Sequence, residues 1–266
     1  MSETYISLEQ QGAVATVWLE RPEVHNAFNA DLIRQLKDCF VALNQRDDVR
    51  VVVLAGRGKS FSAGADLNWM KAAGAASEAE NQADAQILAD MLYALATLKQ
   101  PTIARVQGAA MGGGMGLAAT CDICIAGDKA MFATSEVRLG LAPSTISPYV
   151  IRAIGERQAQ RYFLTAERIS AAKAAEIGLA HEVVGMEELV TKVEEIVAAL
   201  LLGGPVAQQA SKQLIALVAK RDNSAELRSQ TAAHIASVRA GQEAKEGLNA
   251  FLEKRAAAWC NSANPT

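Results

Sequence analysis

Ile103–Leu117 reads IARVQGAAMGGGMGL, and the fold turns on what this stretch does. An apolar, strand-like run of Ile103, Ala104 and Val106 stops at Gly108. Three consecutive glycines follow, Gly112, Gly113 and Gly114, with Gly116 close behind, and Leu117–Thr120 then reads as helix. A glycine costs roughly 0.5–1 kcal/mol in a helix interior, so three in a row call for a physical reason. One is a strand-to-helix turn whose backbone N–H groups face a ligand at close range. N–H groups at a helix N-terminus lack intrahelical partners and carry the positive end of the dipole, which suits a phosphate or a developing oxyanion. The other is close helix–strand packing in a tight core.

Working outward, the chain has 266 residues, half of them hydrophobic, and a net charge of −3. That is the composition of a soluble globular protein, and the length allows a sizeable core. It offers no basic footprint for nucleic acid or an anionic membrane surface. No apolar run reaches the roughly 20 residues of a membrane span, and MSETYISLEQ has neither the basic flank nor the apolar block of a signal peptide, so a cytoplasmic location is expected. The four cysteines make no disulfide framework; Cys121-Asp-Ile-Cys124 has redox spacing but sits in an apolar stretch that reads as core. His25, His181 and His234 have no metal-like spacing, so no metal is expected.

Tyr5–Leu8 and Ala13–Leu19 read as a hairpin around Gln10-Gln11-Gly12. Asn29 or Asp31 caps a helix with Leu32, Leu36, Phe40 and Leu43 on one face. Arg50–Leu54 is a strand, residues 71–84 read as a surface loop, and Gln86–Leu98 is helical. Strands at Ile123–Ala126 and Met131–Ala133 precede a proline-bearing loop. From Glu156 on, the pattern is helical apart from a strand at Ala180–Val184, and the last helix is expected over Glu243–Ala258. Strand–helix alternation to about residue 185, then helices, predicts an α/β core over 1–185 and a helical region over 186–266. The apolar face of Val190, Val193, Ile196, Val197 and Leu200 is expected to bury against partner subunits.

Two loops share one description: Ser62–Asp66 after Val51–Leu54, and Gly112–Gly116 after Ile103–Val106. If their strands are neighbours, both turns open on one sheet edge, and two backbone N–H groups can converge on one carbonyl oxygen. In a dry site, one such donor is worth roughly 3–4 kcal/mol. A competing reading takes Gly114-Met-Gly116-Leu-Ala-Ala119 as the G-x-G-x-x-A turn of a dinucleotide-binding oxidoreductase, which leaves the Ser62–Asp66 loop unused.

The pattern as a whole resembles the enoyl-CoA hydratase/isomerase (crotonase) family. It comprises Arg21-Pro22 with Asn26-Ala27, Phe61–Asp66, Gly108 with Gly112–Gly114, and Cys121-Asp122. Phe132 with Glu136, Gly140-Leu141 with Pro143, and Phe251 with Glu253-Lys254-Arg255 complete it. The resemblance runs in order over essentially the whole chain. It implies a spiral of ββα units with C-terminal helices that build a homotrimer or a homohexamer made of two trimers. It further implies an acyl-CoA substrate, with coenzyme A as part of the substrate and no tightly bound cofactor. The backbone N–H groups of Ala65 and Gly113 would form the oxyanion hole and Glu136 would be catalytic. Ala63, Ala65 and Leu67 would line the adenine pocket, and Lys254 would reach coenzyme A phosphates across a subunit boundary. In better-known hydratases a second catalytic glutamate stands three residues after the middle glycine, where this chain has Gly116. Either one carboxylate then serves both proton roles in turn or a group from elsewhere replaces the missing one, and the space so opened could also admit a branched or charged acyl group. FSAGADLNWM and the stretch from Ser135 to Ala171 look like bacterial hydratases of 3-branched glutaconyl-CoA substrates, 3-methylglutaconyl-CoA or 3-isohexenylglutaconyl-CoA, which act in leucine or acyclic terpene breakdown.

Other side chains carry two readings each. Asp66 complements a helix dipole, and Asp122 in CDICIA is a hydrogen-bonded structural carboxylate. Trp69 and Met70 are packing or a wall of the acyl pocket. His25 lies in the loop after Pro22, where coenzyme A would pass. Arg138, the cation nearest Glu136 in sequence, is solvated or grips a distal carboxylate.

Overall fold

The computed structural model describes residues 3–261. Strands β1 (Ile6–Gln11) and β2 (Val14–Leu19) pair antiparallel. The turn falls at Gly12, whose φ of 55° a glycine adopts without strain, so β1 runs further than expected. After a 3-10 turn at Pro22–Val24, Asn29 caps α1 (Ala30–Asn44) by accepting from the Leu32 N–H at 2.8 Å. β3 (Val51–Gly56) is buried on both faces.

Next come α2 (Leu67–Ala75) and α3 (Glu78–Ala96), which replace the loop expected over 71–84. Its alanines and glutamates are good helix formers; α2 closes at Ala76, whose N–H donates to the Ala73 carbonyl, and Ser77 starts α3 through a reciprocal cap with Glu80. β4 (Thr102–Val106), β5 (Ala109–Met111), α4 (Gly113–Thr120), β6 (Ile123–Gly127) and β7 (Met131–Ala133) follow. A 3-10 turn at Glu136–Leu139 leads to α5 (Ser147–Thr165), then β8 (Ile169–Ser170), α6 (Ala171–Glu176) and β9 (Glu182–Val184). The helices α7 (Leu189–Leu201), α8 (Pro205–Val218), α9 (Ala225–Ala240), α10 (Gln242–Leu252) and α11 (Ala258–Asn261) end the described chain. The expected helix over Glu243–Ala258 is thus broken after Leu252, and Lys254 takes a left-handed φ of 55°.

The strands form a six-stranded sheet, β1-β2-β3-β4-β6-β9, and a three-stranded sheet, β5-β7-β8. From β2 to β9 the large sheet is parallel. The chain steps from the large sheet to the small one after β4 and again after β6, and single bridges from Phe28 to Ala65 and from Ser62 to Ala110 extend the small sheet backwards. Each turn of the chain therefore adds one strand to the large sheet and one extended segment to the small one, which is a spiral. The larger core packs α1, α3, α4 and α5 on one face of the large sheet.

On the opposite face, α7 packs Leu189 and Val193 against Val51, Val53, Ile103 and Ile125, with Ile196, Val197 and Leu200 partly buried beside them. The apolar face expected to meet a partner subunit is therefore largely used within the chain. A sheet buried on both faces needs a helix on each, and α7 supplies the second. Cys121 and Cys124 are free, buried core residues, and burial pushes the Cys124 thiol up to about 12. Among the described residues no helix is long and apolar enough to cross a membrane, and no cluster of ligating side chains could hold a metal ion.

Candidate active site

The parallel strands β3, β4 and β6 deliver three segments to one end of the sheet: Phe61–Asp66, Gly108–Gly113 and Thr134–Glu136. The first is wired from behind by Asn26, which is fully buried and, like His25, has a positive φ. Its amide N–H groups donate to the carbonyls of Arg57 and Ser60, both at 2.9 Å, while its Oδ1 accepts from the Arg21 N–H at 2.9 Å. Ser62 Oγ donates to the Asn26 carbonyl, and the Ala63 N–H donates to the His25 carbonyl, again at 2.9 Å.

Phe28 then brackets Ala65. The Phe28 N–H donates to the Gly64 carbonyl at 2.6 Å, and the Asp66 N–H donates to the Phe28 carbonyl at 2.8 Å. In an extended segment successive N–H groups point to opposite sides, so the Ala65 N–H faces away from Phe28. Ala65 is exposed and its N–H has no partner among the described residues. Gly113, the first residue of α4, likewise keeps its N–H free, as a helix start dictates.

The two turns touch, and Glu136 joins them. A Cβ added to Gly112 would lie 3.1 Å from Glu136 Oε1 and 4.0 Å from Gly64 Cα. The Gly112 N–H donates to the Ala133 carbonyl at 2.8 Å, which ties the glycine turn to the strand that carries Glu136. Gly112 has a φ of 48°, a Cβ on Gly113 would strike the Phe28 ring at 2.6 Å, and one on Gly114 would strike the Ser62 carbonyl at 2.4 Å. Both readings of the triple glycine thus apply, a ligand-facing turn and close packing. Glu136 Oε2 is buried without a hydrogen-bond partner among the described residues. Burial raises the Glu136 carboxyl above the ordinary glutamate range, opposed only by a hydrogen bond from its own backbone. Two free N–H groups beside a desolvated carboxylate can stabilise an oxyanion and exchange a proton at a neighbouring carbon.

Asp66 belongs to the scaffold, as expected. It caps α2 through the Asn68 N–H at 2.9 Å and the Trp69 N–H at 3.4 Å, and pairs with Arg21 at 3.0 Å, both side chains nearly buried. Desolvation favours its neutral form, but Arg21 and the two N–H groups outweigh it and hold the carboxyl below its ordinary range. Asp122 is also structural, held by Lys212 at 2.7 Å and by the Thr102 N–H at 2.8 Å.

His25, with Nδ1 3.1 Å from Ser60 Oγ, lies with Ala63, Ala65 and Leu67 on an exposed rim beside the site; Leu67 is 82% exposed. Trp69 is half-buried against the core, which favours the packing reading, and Met70 is half-buried. Arg138 shares the 3-10 turn with Glu136 and is exposed, with no ion pair among the described residues.

Two expectations are corrected. Gly116 does not open a space, because a Cβ there would meet Ile146 Cγ2 at 2.3 Å, and Ile146 fills the volume. Gly114 and Gly116 lie inside α4 against Ser62 and Ile146, so they build no dinucleotide turn. Lys254 is not brought to the site within its own chain. Its segment is anchored near the N-terminal ends of the strands, where Arg50 donates to the Gly203 and Trp259 carbonyls and Lys212 of α8 reaches Asp122. Asn26, Arg21 and Phe28 have the largest unforeseen share in the site; the sequence marks the first two only as parts of the Arg21-Pro22 and Asn26-Ala27 pattern, and Phe28 not at all.

The enoyl-CoA hydratase/isomerase family model matches residues 9–262. The crotonyl-CoA hydratase of Syntrophomonas wolfei is 35% identical over 97% of this chain and 98% of its own length. The short-chain-enoyl-CoA hydratase of Clostridium acetobutylicum is 34% identical over 94% of this chain and 95% of its own. The crystal structure of an enoyl-CoA hydratase from Shewanella pealeana matches with a TM-score of 0.94 and 39% identity, covering 96% of each chain. Such matches, spanning nearly the whole chain and the very loops that meet at Glu136, mean that it belongs to the enoyl-CoA hydratase/isomerase family and has the crotonase fold.

Proposed function

We propose that this enzyme adds water across the double bond of an enoyl-CoA thioester. The Ala65 and Gly113 N–H groups hold the thioester oxygen, and Glu136 is the one carboxylate that handles protons. The observation that carries this reading is the contact of Glu136 with Gly112 beside two unpaired N–H groups. Glu136 takes a proton from water as the oxygen bonds to Cβ, and the electron pair of the double bond moves into an enolate held by the N–H pair. The protonated Glu136 then returns its proton to Cα, so base and acid are one group acting in turn.

The exposed rim of His25, Ala63, Ala65 and Leu67 receives the nucleotide end of coenzyme A, which is part of the substrate. Lys254 comes from a neighbouring protomer. In support, its segment is anchored at the far end of its own strands, and Phe251 and Leu252 beside it are 80% and 76% exposed. On this reading the protein is a trimer or a pair of trimers in the cytoplasm, residues 1–185 carry the site, and residues 186–266 assemble it.

For the acyl group, Arg138 supports a distal carboxylate, as in a 3-branched glutaconyl thioester of leucine or acyclic terpene breakdown. A second reading, double-bond isomerisation, is favoured by the single carboxylate, since one base can move a proton between two carbons. The test is a panel of crotonyl-, 3-methylglutaconyl- and 3-isohexenylglutaconyl-CoA, followed by loss of conjugated-thioester absorbance. Turnover with conversion to the 3-hydroxy product is expected. Unchanged absorbance across the panel would refute hydration.

A further inference from the structure

Gly116 has ordinary helical torsion angles, so backbone conformation does not explain why it is glycine. The reason is contact. A Cβ there would lie 2.3 Å from Ile146 Cγ2 and 2.8 Å from Ile146 Cβ. Ile146 is 2% exposed and stands at the start of α5, ten positions after Glu136. The intervening segment turns through the bond from the Leu141 N–H to the Glu136 carbonyl at 3.0 Å, and it leaves Leu139 and Leu141 exposed.

On the other side of Glu136, Thr134 Oγ1 donates to the Tyr162 carbonyl of α5 at 3.1 Å. The carboxylate itself accepts from no other side chain among the described residues. Its position is therefore decided by the backbone that carries it, and that backbone is fastened to α5 at Thr134 and at Ile146. Gly116 lies just under one turn after Gly113, on the same short helix whose first N–H is free.

We propose that Ile146, seated on Gly116, is a positioning residue that sets where Glu136 stands relative to the Gly113 N–H. This rests on Glu136 being the proton-handling group. The physical basis is that packed interiors transmit displacement: a methyl group inserted between α4 and α5 must push one of them away. Misplacing a catalytic group by about 1 Å can cost on the order of 100-fold.

The experiment compares Gly116→Ala, Ile146→Ala and the double variant in the full-length protein, using the enoyl-CoA thioester that wild type turns over best. Gly116→Ala is expected to lower kcat by about 10–100-fold with KM nearly unchanged, because the rim for coenzyme A is untouched. The acid limb of its kcat/KM profile should move to lower pH, since a displaced Glu136 gains water and loses the desolvation that raises its carboxyl. The double variant removes the 2.3 Å contact and should recover at least part of the lost kcat. If Gly116→Ala does not fold, Ile146→Ala carries the test, with the same loss of kcat and the same shift of the limb expected. A folded Gly116→Ala with wild-type kcat and acid limb, or an Ile146→Ala that loses melting temperature alone, would overturn the role of Ile146. Normal turnover in Glu136→Gln would instead overturn the reading of Glu136 on which it rests.

Discussion

The two ends of the parallel strands are built on opposite terms. At the C-terminal ends, backbone donors at Ala65 and Gly113 are left free and the desolvated Glu136 carboxylate keeps Oε2 without a hydrogen-bond partner, among the described residues. At the N-terminal ends, Asp122 is held by Lys212 and Thr102, and Arg50 donates to two carbonyls of the C-terminal helical segment. One end leaves polar groups unmet where a substrate can meet them. The other pairs its charges to fasten helices to the sheet. Substitutions at the first end should therefore change rates more than stability, and those at the second should do the reverse.

Glu136→Gln is the sharpest instance. The amide can neither take a proton from water nor return one to carbon, so turnover should fall by more than the roughly 10²–10⁴-fold typical of one positioned acid or base. Binding of a CoA thioester, measured by calorimetry, should survive because the donors are backbone N–H groups. Stability should move the other way. The folded carboxyl lies above its unfolded value, so the native state binds more protons within that window, and stability falls as pH rises through it. At neutral pH the Gln variant should thus melt higher than wild type, and near pH 4 the difference should vanish. A variant that is both inactive and less stable at neutral pH would contradict the claim that Glu136 is strained by desolvation.

Arg21→Met would break the comparison if carried too far, because the site end also has a scaffold. Removing Arg21 leaves Asp66 nearly buried and unpaired, a loss of about 3–5 kcal/mol for a pair of this kind. The deficit should shrink as pH falls, because Asp66 is held below its ordinary range and its stabilising contribution is present only while it is ionised. Denaturant titration at pH 7 and pH 3 checks both statements.

At the far end, Lys212→Met should cost on the order of 1–3 kcal/mol by leaving Asp122 and the Gln100 carbonyl short of a donor. Its kcat/KM should stay at the wild-type value, and a large fall would mean that the two ends are coupled. The smallest effect is expected for Lys254→Ala, a several-fold rise in KM at constant kcat that fades as salt rises. A fall in kcat at unchanged KM would remove Lys254 from the phosphate end of the substrate.

Much of this was legible in the residues. The alternation of strand and helix to about residue 185, the capping by Asn29 and the structural roles of Asp66 and Asp122 all follow from local patterns that the fold keeps. The small residues of segment 71–84 suggest a loop, whereas alanine and glutamate around a Ser77 cap favour helix, and helix is what forms. The face of α7 reads equally well as a partner contact, because periodicity reports that a face is apolar without saying what covers it; the sheet of the same chain covers it.

By itself the sequence determined that two small-residue turns would follow two buried strands and end in free backbone donors. That is local chemistry: glycine and alanine clear the approach, and a helix start leaves its N–H groups unmet. Only the tertiary structure decided that Glu136 lies against Gly112, that Asn26 braces the loop from behind, and that Gly116 is glycine because Ile146 stands on it. Those contacts join residues from 24 to 34 positions apart, and a spacing along the chain does not say which side of a helix the next element will press against.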